Sequence, residues 1–536
     1  MTTTSGPRAQ LPQRLALGLI LLLAAGLRFA NLGALGYVNH YYSAGIVSML
    51  QSWHNLFFVA AEPGGAVSID KPPLGLWIQA LSAGLFGVNT FGLLLPEILA
   101  GLGSVALLYH LVGRRFGASA GLLAALAMAI TPVVVATDRN NTIDSLLIFT
   151  LLLAAWAFLL ASERGQLRLL LLGAALVGLG FNIKMLQAFL PLPAFYALYL
   201  LGARVGLWRK LAHLALASLL LLTIALSWAV AVDLVPADQR PFVGSSGDNS
   251  VLSLITGYNG AMRLLGRGGG GNRSDAVGPG GGATRPNGGM PPQGGSGGSG
   301  QSPSNRPGGQ TPPTGTAGSP GQGGPNNRPS GQMPPSDGEL AGSAAAGMSQ
   351  IGQTGLLRLV TPPLSKEVSW LLPVGLLSLG ILALRRPHWP LEGPHQAALL
   401  WGGWLLTAAA FFSVAGFFHE YYLSMLAPPL AALVGIGGAQ LWCLRADRPR
   451  LALGLLLLAG AATLALQLLT ARAFVGTAWW LMPSLALFTL GLLLAAQPIS
   501  ARCRCACCVA SNRPRVKIAR LGISHQAVPT NARAVR

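Results

Sequence analysis

Long apolar runs broken by short polar gaps set the pattern of the chain. A helix needs roughly 20 mostly apolar residues to cross a bilayer. By that measure about twelve runs qualify, near 15–35, 91–112, 118–136, 145–161, 168–184, 187–203, 211–232, 368–384, 396–417, 422–442, 451–470 and 479–497. The pattern predicts an all-α integral membrane protein, a bundle of about 12 transmembrane helices. Arg8 and Arg14 precede the first run as they would in a signal peptide. That run is long and no small-x-small cleavage site follows it, so it reads as an uncleaved span.

Two interruptions are long. The loop 37–90 mixes aromatics, turn residues and one amphipathic stretch, which predicts short helices lying at the membrane surface. The other, 233–367, contains a tract at 266–342 with 26 Gly and 13 Pro. Such a tract buries too little apolar surface to offset its ordering entropy and is expected to be disordered. The chain thus divides into an N-terminal transmembrane region 1–265, the outward Gly/Pro-rich loop 266–342, a C-terminal transmembrane region 343–497 and a basic tail 498–536. The tail holds Cys503, Cys505, Cys507 and Cys508 but lacks two separated CxxC pairs, so disorder is the expectation rather than a zinc site.

Composition agrees with the pattern: 52% of residues are hydrophobic and 10% charged, against roughly 25% charged in soluble domains. An ordinary soluble enzyme is excluded. The net charge of +20 would suggest nucleic-acid binding in a soluble chain, but here the positives fill gaps between apolar runs, and eight sit in the tail. The expected partner is the lipid bilayer, with no nucleic acid. With the N-terminus in the cytoplasm, Arg114 and Arg115, Arg164 and Arg168, Arg204, Arg209 and Lys210, Arg385 and Arg386, and Arg445, Arg448 and Arg450 all fall on the cytoplasmic side, as the positive-inside rule requires. Twelve of the 16 acids then face outward, which points to chemistry in the outward loops.

The first candidate is Val67-Ser68-Ile69-Asp70-Lys71-Pro72-Pro73-Leu74-Gly75, where two prolines fix an Asp-Lys pair near the lipid boundary. Lys71 suits a phosphate, and Asp70 suits a divalent metal ion or the orientation of Lys71. The plainer alternative is that Asp70 caps the next helix. The second candidate is Thr137 to Ser145, a polar knot holding Asp138, Arg139 and Asp144 between two apolar runs. Ionisable groups at a membrane edge mark function by default, although Asp144 also fits an N-cap and Arg139 a partner for Asp138. Three weaker groups fall on the same side: Asn39, His40, Tyr41 and Tyr42 after the first run, Asn182 and Lys184 at the end of the fifth, and His419, Glu420, Tyr421 and Tyr422 at the start of the tenth.

The runs NHYYSAGIVSML, SWHNLFFVA, SIDKPPLGLWIQALSAGLFG, DRNNTIDSLLIFTLLLAAWAF, GYNGAMRLLG and SWLLP resemble the bacterial branch of glycosyltransferase family 39, the dolichyl-phosphate-mannose protein mannosyltransferase-like and aminoarabinose-transferase-like proteins. The resemblance implies the GT-C architecture, in which the first outward loop and its surface helices frame a cavity for a polyprenyl-phosphate sugar. It implies a multi-pass enzyme of the cell membrane. Such an enzyme moves a hexosyl or pentosyl group to a protein, lipid or cell-envelope glycan on the extracytoplasmic face. On this resemblance Lys71 contacts the donor phosphate and Asp70 is a candidate metal ligand. Asp144 falls on the acid that opens the fourth span. The family's acidic pair after the first span is replaced here by Asn39 and His40.

The base that activates the acceptor is therefore sought among Asp144, Asp70 and His40. Arg139, Asn39, Tyr41, Asp138, His419 and Tyr421 complete the expected substrate-binding set. Two other classes compete: a transporter or flippase of lipid-linked intermediates, and a non-catalytic scaffold. A transporter is expected to carry midplane charges and inverted repeats, and neither is evident in the sequence.

Overall fold

The computed structural model describes residues 7–265 and 351–473, apart from 385, 386 and 388. The tract 266–342, the run 479–497, the cysteine-bearing tail, Arg385 and Arg386 lie outside the described residues. Everything described belongs to one compact unit.

The chain runs through α1 (Pro7–Phe29), α2 (His40–Met49), α3 (Trp53–Phe57), α4 (Pro73–Phe86), α5 (Thr90–Phe116), α6 (Ala118–Ile130), α7 (Pro132–Asp138), α8 (Asp144–Arg164), α9 (Leu167–Lys184), α10 (Leu192–Gly202), α11 (Leu207–Asp233), α12 (Val251–Thr256) and α13 (Met262–Leu265). It resumes in α14 (Leu372–Ala383), α15 (Gly393–Val414), α16 (Ala427–Asp447) and α17 (Pro449–Ala473). Among the described residues eight helices are long and apolar enough to cross a membrane, or nine if α6 and α7 together form one span.

Three expected spans differ from their apolar runs. The run 118–136 breaks by 62° between α6 and α7, because Pro132 cannot donate the helical hydrogen bond and starts a new helix instead. The runs 187–203 and 368–384 form the shorter apolar helices Leu192–Gly202 and Ser369–Ala383. The loop 37–90 does fold as the short helices α2, α3 and α4.

Helices α8 and α16 are the most enclosed of the long helices, whereas α1 and α17 keep most of their apolar surface exposed. Small residues allow close packing, as membrane helices require in the absence of a hydrophobic drive between them. A Cβ on Gly435 of α16 would run into the Ala120 carbonyl of α6 and sit 2.7 Å from Ala124 Cβ. An aromatic cluster joins α8, α10 and α15: Phe158 stacks on Phe195 at 5.0 Å, and Trp404 meets Phe195 edge-on at 5.8 Å. Trp404 Nε1 also donates to Met425 O at 3.1 Å, anchoring the turn Glu420–Leu426 that leads into α16.

Helix α1 is held at its polar end. Arg28 and Asp138 are both buried, and Arg28 Nε donates to Asp138 Oδ2 at 2.6 Å. Arg28 Nη1 donates to Ala24 O and Ala129 O, so one guanidinium ties α1 to α6 and α7. Arg139 Nη1 donates to Leu27 O and Ala30 O at 2.8 and 2.7 Å, satisfying carbonyls that α1 leaves unpaired at its C-terminus.

Removing one partner from a buried ion pair costs about 3–5 kcal/mol, while replacing both by apolar groups can be neutral. Asp138→Ala is therefore expected to lower the unfolding midpoint of the detergent-solubilised protein strongly, and Arg28→Met with Asp138→Leu to recover most of the loss. Equal midpoints for wild type and Asp138→Ala would contradict this assignment.

Candidate functional site

The Asp70-Lys71 pair is presented by an extended segment locked from two sides. Ile69 N donates to Val59 O at 2.9 Å and Ser68 N to Phe242 O at 2.8 Å, so the stretch after α11 pins the first loop. Pro72 and Pro73 then start α4. Lys71 Nζ donates to Asp70 Oδ2 at 2.6 Å and to Asp70 O at 3.3 Å. Burial pushes the Lys71 ammonium below its ordinary range; Asp70 opposes that shift and Arg263 adds to it.

A second pair forms where α8 begins and α9 ends. Asp144 is fully buried and forms an ion pair with Lys184 Nζ, and Gln187 Nε2 donates to Asp144 Oδ1 at 3.4 Å. Both flanking residues have left-handed backbones, Ile143 at φ 62° and Met185 at φ 44°. Such strain in a β-branched residue is costly and gathers where function holds it. Ile143 fits because it packs over a glycine: a Cβ on Gly75 would lie 2.8 Å from Ile143 Cγ2. The DKPPLG run therefore shapes the second pair as well as carrying the first. Lys184 Nζ lies 3.9 Å from the Tyr422 ring centroid and 4.9 Å from that of Tyr421, which stabilises its charge through their π faces.

A third cation comes from beyond α11. Arg263 is buried and faces the rings of Tyr258, Tyr422 and Phe417 at 5.2, 5.4 and 5.7 Å. Its Nη2 donates to Asn259 Oδ1 at 3.3 Å, while its buried Nη1 has no hydrogen-bond partner among the described residues. Lys71, Lys184 and Arg263 line one cavity of about 90 Å³, whose remaining wall includes Leu186, Leu190, Phe411 and Phe418. Three cations against the carboxylates of Asp70 and Asp144 leave one surplus positive charge beside an apolar wall. The site thus suits a single anionic group carried on an apolar chain.

The structure brings Asp70, Lys71, Asp144, His419 and Tyr421 to this end of the bundle. His419 stacks on Tyr421 with rings 5.3 Å apart and 4° from parallel. Burial and then the charge of Asp70 raise the half-buried phenol of Tyr41, which lies near the first pair. The other expected site residues have different places. Asp138 and Arg139 hold α1 as described above. Asn39 caps α2 by accepting from Tyr42 N, and its own N–H donates to Asn141 Oδ1. His40 is exposed at the first position of α2.

The surroundings of Asp70 do not fit a metal. Its Oδ2 accepts from Lys71, the Arg263 guanidinium interacts with it electrostatically, and no group of three His, Cys, Asp or Glu able to hold a metal occurs among the described residues.

The sequence places Lys184 only in a weaker candidate group and does not single out Arg263, Asn259 or Glu97. Lys184 was visible as a cation ending an apolar run, and Arg263 as a lone arginine after GYNGAM. Glu97 is fully buried in α5, accepting from Gln79 Nε2 at 2.7 Å and from Leu146 N at 3.2 Å. It thereby secures the first turn of α8. Gln79 passes the connection on to Asn141 O.

Residues 70–228 match the family of dolichyl-phosphate-mannose-protein mannosyltransferases. Bacillus subtilis YycA, a protein named as a mannosyltransferase, is 44% identical over 79% of this chain and 63% of its own length. Over most of its length the chain is thus similar to a protein named as a mannosyltransferase. The chain spans less than two thirds of the length of that Bacillus relative. The undecaprenyl phosphate-α-4-amino-4-deoxy-L-arabinose arabinosyl transferase of Pseudomonas paraeruginosa is 35% identical over 32% of each chain. The crystal structure of ArnT from Cupriavidus metallidurans bound to undecaprenyl phosphate aligns at 16% identity and a TM-score of 0.47, over 92% of this chain and 76% of that one.

A carboxyl pair adjoins the segment that carries His419 and Tyr421. Lys366 Nζ lies 3.0 Å from Glu420 Oε2 and 3.8 Å from Glu367 Oε1. Burial pushes Glu367 up to about 7 from its ordinary 4.5; Lys366 opposes this and Glu420 adds to it. The folded protein therefore binds this proton more tightly than the unfolded chain does. The corresponding stability is full below 4.5 and is lost as pH rises through about 7. Thermal midpoints measured from about pH 4 to 8 are expected to fall for wild type relative to Glu367→Gln across that window. Parallel curves would refute the shift.

Proposed function

We propose that the protein transfers a sugar from a polyprenyl-phosphate donor to an extracytoplasmic acceptor, with the donor phosphate held by Lys71, Lys184 and Arg263. The observation that carries this reading is the buried, unpartnered Nη1 of Arg263 in a cavity lined by three cations and an apolar wall. A phosphodiester bears one negative charge, which balances the surplus positive charge of the site. As the sugar leaves, the phosphate gains a second negative charge, and preorganised cations favour that state over the starting one. The apolar wall suits the polyprenyl chain, and the stacked rings of His419 and Tyr421 suit one face of a hexose or pentose.

Asp70 is the favoured base for the acceptor hydroxyl. Asp144 has both oxygens engaged, by Lys184 and Gln187, whereas Lys71 bonds only Oδ2 of Asp70. Asp144 then serves to hold Lys184. The extracytoplasmic placement is supported by helix polarity. Asp144 starts α8 and Arg164 ends it, while Arg168 lies in the first turn of α9 and Lys184 ends it. The positive-inside rule assigns the arginine ends to the cytoplasm.

Purified protein incubated with radiolabelled polyprenyl-phosphate sugars and membrane extract is expected to release labelled product. Lys71→Ala and Arg263→Ala are each expected to lower turnover by about 10²-fold or more. Unchanged donor with wild type, or full transfer by both variants, would overturn the reading.

A further inference from the structure

The GYNGAMR segment contains a device that the phosphate reading leaves unused. Between α12 and α13 the backbone forms a π-helical turn, Gly257–Ala261. Such turns are rare and often mark functional sites. This one carries Asn259 at its centre, one helical turn before Arg263. The two ends of the Asn259 amide have opposite hydrogen-bonding character, and each serves a different cation. Oδ1 accepts from Arg263 Nη2 at 3.3 Å, and Nδ2 donates to Asp70 O at 3.3 Å. That same carbonyl accepts from Lys71 Nζ. The neighbouring Tyr258 ring lies 5.2 Å from Arg263 Cζ and 6.0 Å from Lys71 Nζ.

We propose that Asn259 is a positioning residue that sets the spacing between Lys71 and Arg263, matching it to one phosphate group. Two like charges facing one small cavity repel and would splay apart. A neutral amide bonded to Arg263 on one side and to the carbonyl next to Lys71 on the other resists that splay without cancelling either charge. A carboxylate at this position would not serve. It would keep the acceptor for Arg263 but turn a second acceptor towards Asp70 O, and it would remove the surplus positive charge that an anion needs. Asn259 Nδ2 also lies 3.1 Å from Met185 Sδ, so the strained residue after Lys184 adjoins the same amide.

This inference rests on the phosphate reading, and its test separates the two. Binding of undecaprenyl phosphate to the full-length protein in lipid nanodiscs is measured for wild type, Lys71→Ala, Arg263→Ala, Asn259→Ala, Asn259→Asp and the double variant Asn259→Ala with Arg263→Ala. Arg263→Ala and Asn259→Ala are each expected to weaken binding about tenfold, the scale of one hydrogen bond to a charged group. The double variant is expected to bind no more than about twofold worse than Arg263→Ala alone, because a spacing has no meaning once one cation is gone. Asn259→Asp, which preserves the size of the side chain, is expected to bind at least as weakly as Asn259→Ala with an unchanged thermal midpoint. Should Asn259→Ala not fold, Asn259→Asp carries the test. Wild-type binding by both Asn259 variants, or losses that multiply in the double variant, would overturn the positioning role. Wild-type binding by both Lys71→Ala and Arg263→Ala would overturn the phosphate reading itself.

Discussion

Buried charge is the constraint on which the arrangement depends. The bundle is built of apolar helices, and an unpaired ion inside it would be costlier than any packing contact could offset. Each described buried cation near the site therefore has a specific compensation: Lys71 has Asp70, Lys184 has Asp144, Arg28 has Asp138, and Arg263 has three aromatic faces and an amide oxygen. Once these pairings are fixed, so are the start of α8, the end of α9 and the entry into α4. Packing by Gly435 and by Phe158, Phe195 and Trp404 then fills the space between points already placed.

The same constraint sorts polar groups that look alike in sequence. Asp138 and Asp144 stand six residues apart in one polar knot, yet they belong to different parts of the molecule. Asp138 meets an arginine of α1 and closes the clamp that orients the first helix. Asp144 meets a lysine of α9 that opens into the cavity. The polar chain from Glu97 through Gln79 to Asn141 and Asn39 runs between the two regions. It gives the loop 139–143 a fixed path although Ile143 is strained.

Most of the fold was legible because a bilayer imposes a length on apolar runs, and the runs 91–112, 145–161, 168–184 and 211–232 each fall within one long helix. Hydropathy does not register the break at Pro132, nor does it distinguish a spanning helix from one as short as α10. In the candidate site, Asp70 and Lys71 stand out in the sequence because they adjoin each other and two prolines. Arg263 does not: its partners Tyr258, Phe417 and Tyr422 come from both sides of the long Gly/Pro-rich tract, and nothing local to GYNGAMR announces that convergence. Arg139 was misleading for the complementary reason. Its partners are backbone carbonyls of α1, and carbonyls leave no trace in a sequence.

The surplus positive charge of the cavity has a kinetic consequence. On the proposed reading the donor is a monoanion and the spent lipid phosphate a dianion, so the site that favours bond cleavage also retains what remains afterwards. Turnover would then be governed by escape of the used carrier into the bilayer, with the charges of Lys71, Lys184 and Arg263 holding it back and its own apolar tail drawing it out. A site of this kind gains catalytic power and product inhibition from the same three side chains, and its working rate depends on how quickly the surrounding membrane removes the carrier.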